Sequence, residues 1–313
     1  MNNDRQKLID LFTYRVFKYK NSVRYSKSEN SKIKRFFYNF RNFGLTYIFY
    51  QLVKRRLIKF PKNIKIEFFF GKKMILPSDD INSSVFLMYG ISPDKSERKL
   101  TLWLIKNIRE CDIFYDIGTH MGYYTALFET ILNDVEIHSF EANKKLCQYL
   151  GRNFLPSSKI YISCMAVANH VGEVDFYDAT EIEDSSASSR FPLLKQVISP
   201  IKITSTTIDD YVSKGNKPPT IIKFDIEGGE TDAIVGATNV LKKYSPRIVM
   251  EIWGDEKGRK YSDPAVKKLQ SFGYKSFMLN NDGSVFEEVE VDPVGSISGR
   301  ASNSRDNFLF IKR

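Results

Sequence analysis

The sequence predicts an α/β fold, an open and mostly parallel sheet that carries a basic, helical N-terminal extension. Three observations lead there. Strand-like and helix-like segments alternate from about residue 64 onward, the order that lays helices over a parallel sheet. Two apolar runs, one around Ile113 to Ile117 and one from Thr220 to Phe224, each deliver an acid, then glycines, then a helical stripe. The charge is also segregated: residues 1 to 65 hold 17 Lys and Arg against three acids, an excess of 14 in a chain whose total is +10, which leaves residues 66 to 313 at −4.

At 313 residues and 42% hydrophobic side chains, the chain can bury the core of one large or two small domains and is not a disordered one. Cys111, Cys147 and Cys164 have neither CxxC nor metal-ligand spacing, and they read as reduced core residues of a cytoplasmic protein. The boundary is expected after residue 63, with an aromatic-rich extension over 1–63 and the main domain over 64–313. The longest uncharged stretch of the extension, Asn42 to Val53, falls short of the roughly 20 apolar residues of a membrane-spanning helix. No signal-peptide pattern precedes it. Three readings remain for residues 1–65: aromatics packed on the main domain, peripheral contact with an anionic membrane surface, or an acidic partner. A nucleic-acid partner is not expected.

In chain order, Ile64 to Phe70 and Met74 to Pro77 flank Gly71 as a β-hairpin, and a helix is expected over Ser96 to Asn107. Ile113 to Ile117 is a buried strand. Gly118 and Gly122 allow its tight exit into a helix whose stripe is Met121, Tyr124, Phe128 and Ile131. Val135 to Phe140 is a second strand with Glu141 at its tip, and His138 sits mid-strand in a core role. Tyr161 to Ala168 reads as a third strand, Val174 to Tyr177 as a short extra one, and Ile203 to Ile208 as another. Residues 178 to 200, rich in acids and serine, form a long loop suited to closing over an acceptor. After Thr220 to Phe224, a helix is expected with Ala233, Ile234, Ala237, Val240 and Leu241 on its buried face. Arg247 to Trp253 is a fifth strand. Ser262-Asp263-Pro264 then reads as a helix start with proline at the first position. A hairpin around Asp282-Gly283, a loop over Gly295 to Ser304 and a last strand over Asn307 to Ile311 complete the chain.

Asp225, Glu227 and Glu230 crowd one strand-to-helix turn, and clustered carboxylates raise one another's pKa. Glu230 suits the helix N-terminus. Asp225 and Glu227 need charge partners, a metal or chemical work. An acid at the tip of the second strand, Glu141, is where nucleotide-type ligands commonly meet a carboxylate.

The ordered set Asp116-Ile117-Gly118-Thr119-His120-Met121-Gly122, Phe140-Glu141-Ala142-Asn143, Ala166-Val167-Ala168 with Gly172, Thr207-Ile208-Asp209-Asp210, and Ile222 to Glu230 resembles the FkbM family of S-adenosylmethionine-dependent methyltransferases. The resemblance extends through Glu251 and Gly273-Tyr274 to the final strand. It implies a Rossmann-like class I methyltransferase fold with a seven-stranded, mostly parallel sheet and helices on both faces. It further implies O-methyl transfer to a hydroxyl, often of a sugar or glycan. By the same resemblance Asp116, Gly118, Thr119, His120, Gly122, Tyr123, Glu141, Ala142 and Ala166 are the cofactor-binding candidates. Asp116, Gly118 and Gly122 would shape the cofactor loop, and Glu141 would hold the ribose. Thr119-His120 departs from the small-residue-plus-Asn pair usual in the family.

Such chemistry asks for an aligned acceptor oxygen and a group that takes its proton. Asp225 or Glu227 is the candidate base, with Lys223 as charge partner and Glu251 as a further carboxylate. Asp225 and Glu227 could instead hold Mg²⁺ or Ca²⁺, hard cations that favour oxygen ligands. Two alternatives stand beside this reading. One is a non-catalytic, membrane-associated scaffold. The other is a nucleotide-dependent oxidoreductase, whose G-x-G-x-x-G fingerprint is replaced here by G-x-x-x-G.

Overall fold

The structure, a computed structural model, describes residues 3–24, parts of 36–52, 62–78, 81–92, 94–178, 199–253, 256–285 and 305–312. The expected loop over 295 to 304 and nearly all of that over 178 to 200 lie outside these residues. The chain divides into two compact units, Met1–Arg98 and Lys99–Arg313, and the expected boundary after residue 63 falls inside the first. Among the described residues no helix is long and apolar enough to cross a membrane.

In the first unit, helix α1 (Asn3–Arg24) buries one face. Phe12 packs on Phe69 with ring centroids 4.9 Å apart, and the Tyr89 hydroxyl donates to Ser22 Oγ at 2.8 Å. The expected hairpin is present as β1 (Asn63–Glu67) antiparallel to β2 (Lys73–Pro77), followed by α2 (Ile81–Tyr89). Phe68, Phe69 and Phe70, expected as strand, instead form the buried start of the turn. Helix α3 (Lys95–Asn107) carries the chain across the division.

The second unit continues with β3 (Ile113–Ile117), α4 (Tyr123–Ile131), β4 (Glu136–Phe140), α5 (Lys144–Phe154), β5 (Ile160–Ser163), β6 (Ala166–Val167), β7 (Gly172–Phe176) and β8 (Ile201–Thr206). Then come α6 (Ile208–Ser213), β9 (Ile221–Phe224), α7 (Glu230–Val235), α8 (Thr238–Tyr244), β10 (Arg247–Trp253), α9 (Glu256–Ser271), β11 (Tyr274–Met278) and β12 (Arg305–Lys312). Seven strands form one sheet in the order β11, β12, β10, β9, β3, β4, β5. Only β12 runs antiparallel to its neighbours, so the sheet is mostly parallel as expected. Its centre is dry, with Phe114, Ile117, Ile222, Phe224, Ile248 and Phe308 all fully buried. The strand order reverses between β3 and β9, and a ligand crevice in such a sheet opens beyond the carboxyl ends of those strands.

Four expectations are corrected. The strand expected over Tyr161 to Ala168 is two: β5 pairs with β4, the chain turns at Cys164-Met165, and β6 joins β8 and β7 in a separate three-stranded sheet. No glycine or proline marks that turn, so the apolar run hides it. The helix after β9 is interrupted at Gly236, where a Cβ would lie 2.0 Å from the Ala168 carbonyl oxygen. Pro264 lies inside α9, not at its start. Its missing N–H removes one helical bond, while fully buried Ala265 and Leu269 hold the helix by packing. Cys147 and Cys164 form a disulfide with Cα atoms 5.8 Å apart, and Cys111 is exposed, so the reading of three reduced core thiols fails. The packing of α5 against β5 brings together the paired cysteines, which are 17 positions apart. His138 keeps its core role, buried between Tyr211 Oη at 2.9 Å and Glu136 Oε1 at 3.0 Å.

Candidate active site

Two strand-end turns meet at the reversal point. In the first, Gly118 leaves β3 at φ +81°, and the N–H groups of Gly118 and Thr119 both donate to the carbonyl of Phe140, the last residue of β4. His120 follows at φ +53°, a left-handed conformation that costs a non-glycine residue on the order of 1 kcal/mol or more. That conformation aims its N–H at Glu141 Oε2, 2.8 Å away, while Glu141 Oε1 accepts from Asn143 N at 2.8 Å. Glu141 therefore straps the β3 turn to the start of α5, where the Asn143 side chain is the cap. Burial pushes the Glu141 carboxyl above the ordinary range, against the pull of the Asn143 N–H and of His120.

Asp116 is fully buried at the end of β3. Its Oδ2 accepts from the hydroxyls of Thr119 at 2.7 Å and Thr125 at 2.9 Å, and among the described residues its Oδ1 has no hydrogen-bond partner. Burial raises its pKa, opposed by the Lys223 charge on the neighbouring strand, where Lys223 stands opposite Asp116. Gly122, at φ +83°, opens α4, and its missing side chain makes room for Phe154, which a Cβ would approach to 2.6 Å. Its role here is helix packing. Tyr123 is buried on α4. Ala166 lies in β6, not at a strand tip of the main sheet, and packs with Ala168 and Ile203 in a small cluster that Ala142 also touches.

In the second turn, Asp225 N still donates to Ile117 O at 3.0 Å, Glu227 sits at φ +50°, and Gly228 at φ +99°. Glu230 folds back so that Oε1 accepts from Ile226 N and Gly228 N, the helix-start role expected of it. Lys223 donates to Asp225 Oδ2 at 2.5 Å and lies 5.0 Å from the Tyr124 ring centroid. Carboxylate oxygens of Asp225, Glu227 and Glu251 lie within 4.8 Å of one another. Glu251 Oε2 accepts from Trp253 Nε1 at 2.9 Å and faces Arg305 Nη1 at 3.6 Å.

The charges split this trio. Burial pushes Asp225 upward, but Lys223, its hydrogen bond, Arg305 and His120 outweigh it and hold the carboxyl below its usual value. Glu227 moves well above the ordinary range through burial and the adjacent Glu251 and Asp225 charges. One carboxyl is held down while its neighbour is pushed up, a division typical of acid–base sites. By charge the trio could hold a hard cation, yet Lys223 and Arg305 already stand beside it as counter-charges. Sequence reasoning brought together Lys223, Asp225, Glu227 and Glu251, and missed Arg305 and Trp253. No local signal marks Arg305, which reaches Glu251 only because β12 inserts beside β10 with Trp253 opposite Arg305.

A mostly parallel seven-stranded sheet, reversed beside a glycine turn and flanked by an acid-bearing strand tip, defines a class I methyltransferase fold. Residues 116–276, just over half the chain, match the Methyltransferase FkbM domain, and the chain belongs to that family. A curated relative, hexuronic acid methyltransferase AglP of Haloferax volcanii, is 25% identical over 169 residues, 53% of this chain and 66% of that protein. The chain thus spans just under two thirds of that relative. Among solved structures, a methyltransferase FkbM from Methylobacillus flagellatus KT superposes with TM-score 0.43 and 14% identity over 74% of this chain and 55% of that one. Aeropyrum pernix fibrillarin with bound S-adenosyl-L-methionine gives TM-score 0.37 and 13% identity over 68% and 73%. At such overlaps the fold assignment rests on the strand order.

Proposed function

We propose that this chain is an S-adenosylmethionine-dependent O-methyltransferase acting on a hydroxyl of a sugar or glycan. The observation that carries the proposal is the convergence of Asp225, Glu227 and Glu251 at the sheet's reversal point, beside the glycine turn, with Lys223 donating to Asp225. The residues suit the donor. Asp116 Oδ1 is a buried acceptor that lacks a partner among the described residues, as an ammonium group requires, and each Glu141 oxygen accepts one N–H in the fold and keeps acceptor capacity for ribose hydroxyls. When bound, S-adenosylmethionine supplies an electrophilic methyl group. The chain's own part is to orient the acceptor hydroxyl and take its proton, the role assigned to Asp225, with Lys223 keeping that carboxylate ionised. Glu227, pushed upward by burial and its acidic neighbours, is the carboxyl of the pair suited to donate a hydrogen bond to an acceptor oxygen. The sugar follows from the named substrate of the Haloferax relative, so uronic acids belong in the acceptor screen.

Calorimetry with S-adenosylmethionine and, separately, NAD tests the donor, and a labelled-methyl screen over sugars tests the acceptor. Asp225→Ala is expected to bind the donor as wild type and to lose transfer. Wild-type turnover in that variant overturns the role, and binding of neither cofactor favours the scaffold. A second reading, a Mg²⁺ or Ca²⁺ held by Asp225, Glu227 and Glu251, is motivated by their convergence. Loss of activity in EDTA that Mg²⁺ restores would select it.

A further inference from the structure

Among the described residues, thirteen large apolar side chains stand exposed and seven of them lie in the first 45 residues, so the exposed apolar surface gathers where the positive charge does. Three of those seven lie on α1. One face of that helix is spent on packing: Phe12 is buried against Phe69, Tyr19 meets Tyr89 edge-on at 5.1 Å, and Ser22 is fully buried. The opposite face carries Tyr14 and Phe17, 52% and 60% exposed, with Leu11, 39% exposed, at its edge. Lys7 and Lys20 stand exposed on the same helix, and Lys18 Nζ sits 4.6 Å from the Tyr14 ring centroid. Over the whole helix six basic residues face two acids.

We propose that this face of α1 docks on an anionic lipid bilayer, lying in the plane of the headgroups. The chemistry fits that one occupant. Leu11, Tyr14 and Phe17 are too few and too narrow a stripe to form a second protein core, but aromatic rings with flanking lysines suit the depth where headgroups meet acyl chains. The charge asymmetry supplies direction. Residues 1 to 65 carry the whole positive excess and the remainder totals −4, so attraction to an anionic surface is concentrated in the stretch that contains this helix. The helix presents the stripe as a fixed surface, because its other face is already packed within the first unit.

Co-sedimentation of the full chain with vesicles tests this, using phosphatidylcholine alone and phosphatidylcholine with about one third phosphatidylglycerol. Wild type is expected to partition onto the anionic vesicles only, and to be released by high salt. Tyr14→Ser with Phe17→Ser, and separately Lys7→Glu with Lys18→Glu, are each expected to weaken partition about tenfold or more while the helical circular-dichroism signal is kept. Absence of binding to anionic vesicles, equal binding to neutral ones, insensitivity to salt, or double variants that bind as wild type each overturns the proposal. Self-association that the Tyr14/Phe17 variant abolishes, without vesicle binding, would assign the face to a second copy of the chain and overturn it as well.

Discussion

Gly118 and Asp225 are pressed together backbone to backbone: a Cβ on Gly118 would lie 1.9 Å from the carbonyl oxygen of Asp225. The glycine turn after β3 is therefore shaped by the acidic turn after β9 as much as by any ligand. Gly118→Ala combines that overlap with φ +81° and is expected to cost about 3 kcal/mol or more in urea unfolding. Gly122→Ala meets only the side chains of Phe154 and Leu150 and should cost clearly less. Equal losses at the two glycines would show that the contact with Asp225 is not what constrains Gly118.

Lys223 is the residue that keeps Asp225 ionised despite burial. Lys223→Met removes the largest opposition to burial and leaves only the weaker pull of Arg305 and His120, so the Asp225 pKa rises. The acid limb of the kcat/KM profile is then expected to move to higher pH, with activity at neutral pH falling by roughly 10²-fold or more if Asp225 is the base. An unshifted acid limb would remove Asp225 from that role.

Glu227 gives the opposite sign in stability. Its pKa is raised by burial and by Glu251 and Asp225, so between the ordinary carboxylate value and the raised one the folded chain binds more protons than the unfolded chain. Its contribution is full below the ordinary value and is lost as pH rises through the folded one. Glu227→Gln cannot ionise, so its stability relative to wild type should climb from acid to neutral pH. Urea midpoints measured across that range check it, and a difference independent of pH refutes it.

The disulfide between Cys147 and Cys164, 17 positions apart, closes a loop that holds α5 from Cys147 onward and all of β5. Constraint of the unfolded chain by a loop of that length is worth about 3 kcal/mol. Thermal unfolding with and without reductant should separate by that amount, and Cys147→Ala with Cys164→Ala should melt with the reduced protein in both conditions.

Where the governing contacts are local, the sequence was readable. The hairpin around Gly71, the two strand-acid-glycine turns, the fold-back of Glu230 and the Lys223–Asp225 pair all span a few residues, and their residue types state the backbone they need. Reading failed where a local pattern had a nonlocal competitor. Ser262-Asp263-Pro264 has the composition of a helix start, yet the buried face of α9 carries the helix through it. The run from Tyr161 to Ala168 has the composition of one strand, yet β4 and β8 each claim a part.

By itself the sequence determined the α/β class, the two strand-acid-glycine turns and the segregation of positive charge into the first 65 residues, because periodicity, glycine placement and charge are carried by neighbouring residues. Only the tertiary structure decided which carboxylates meet and which of them is pushed up or held down. Glu251 and Arg305 lie far from Asp225 in sequence, and strand register sets their approach. Burial and those neighbours then divide Asp225 from Glu227, a distinction that two acids separated by one residue cannot express in sequence alone.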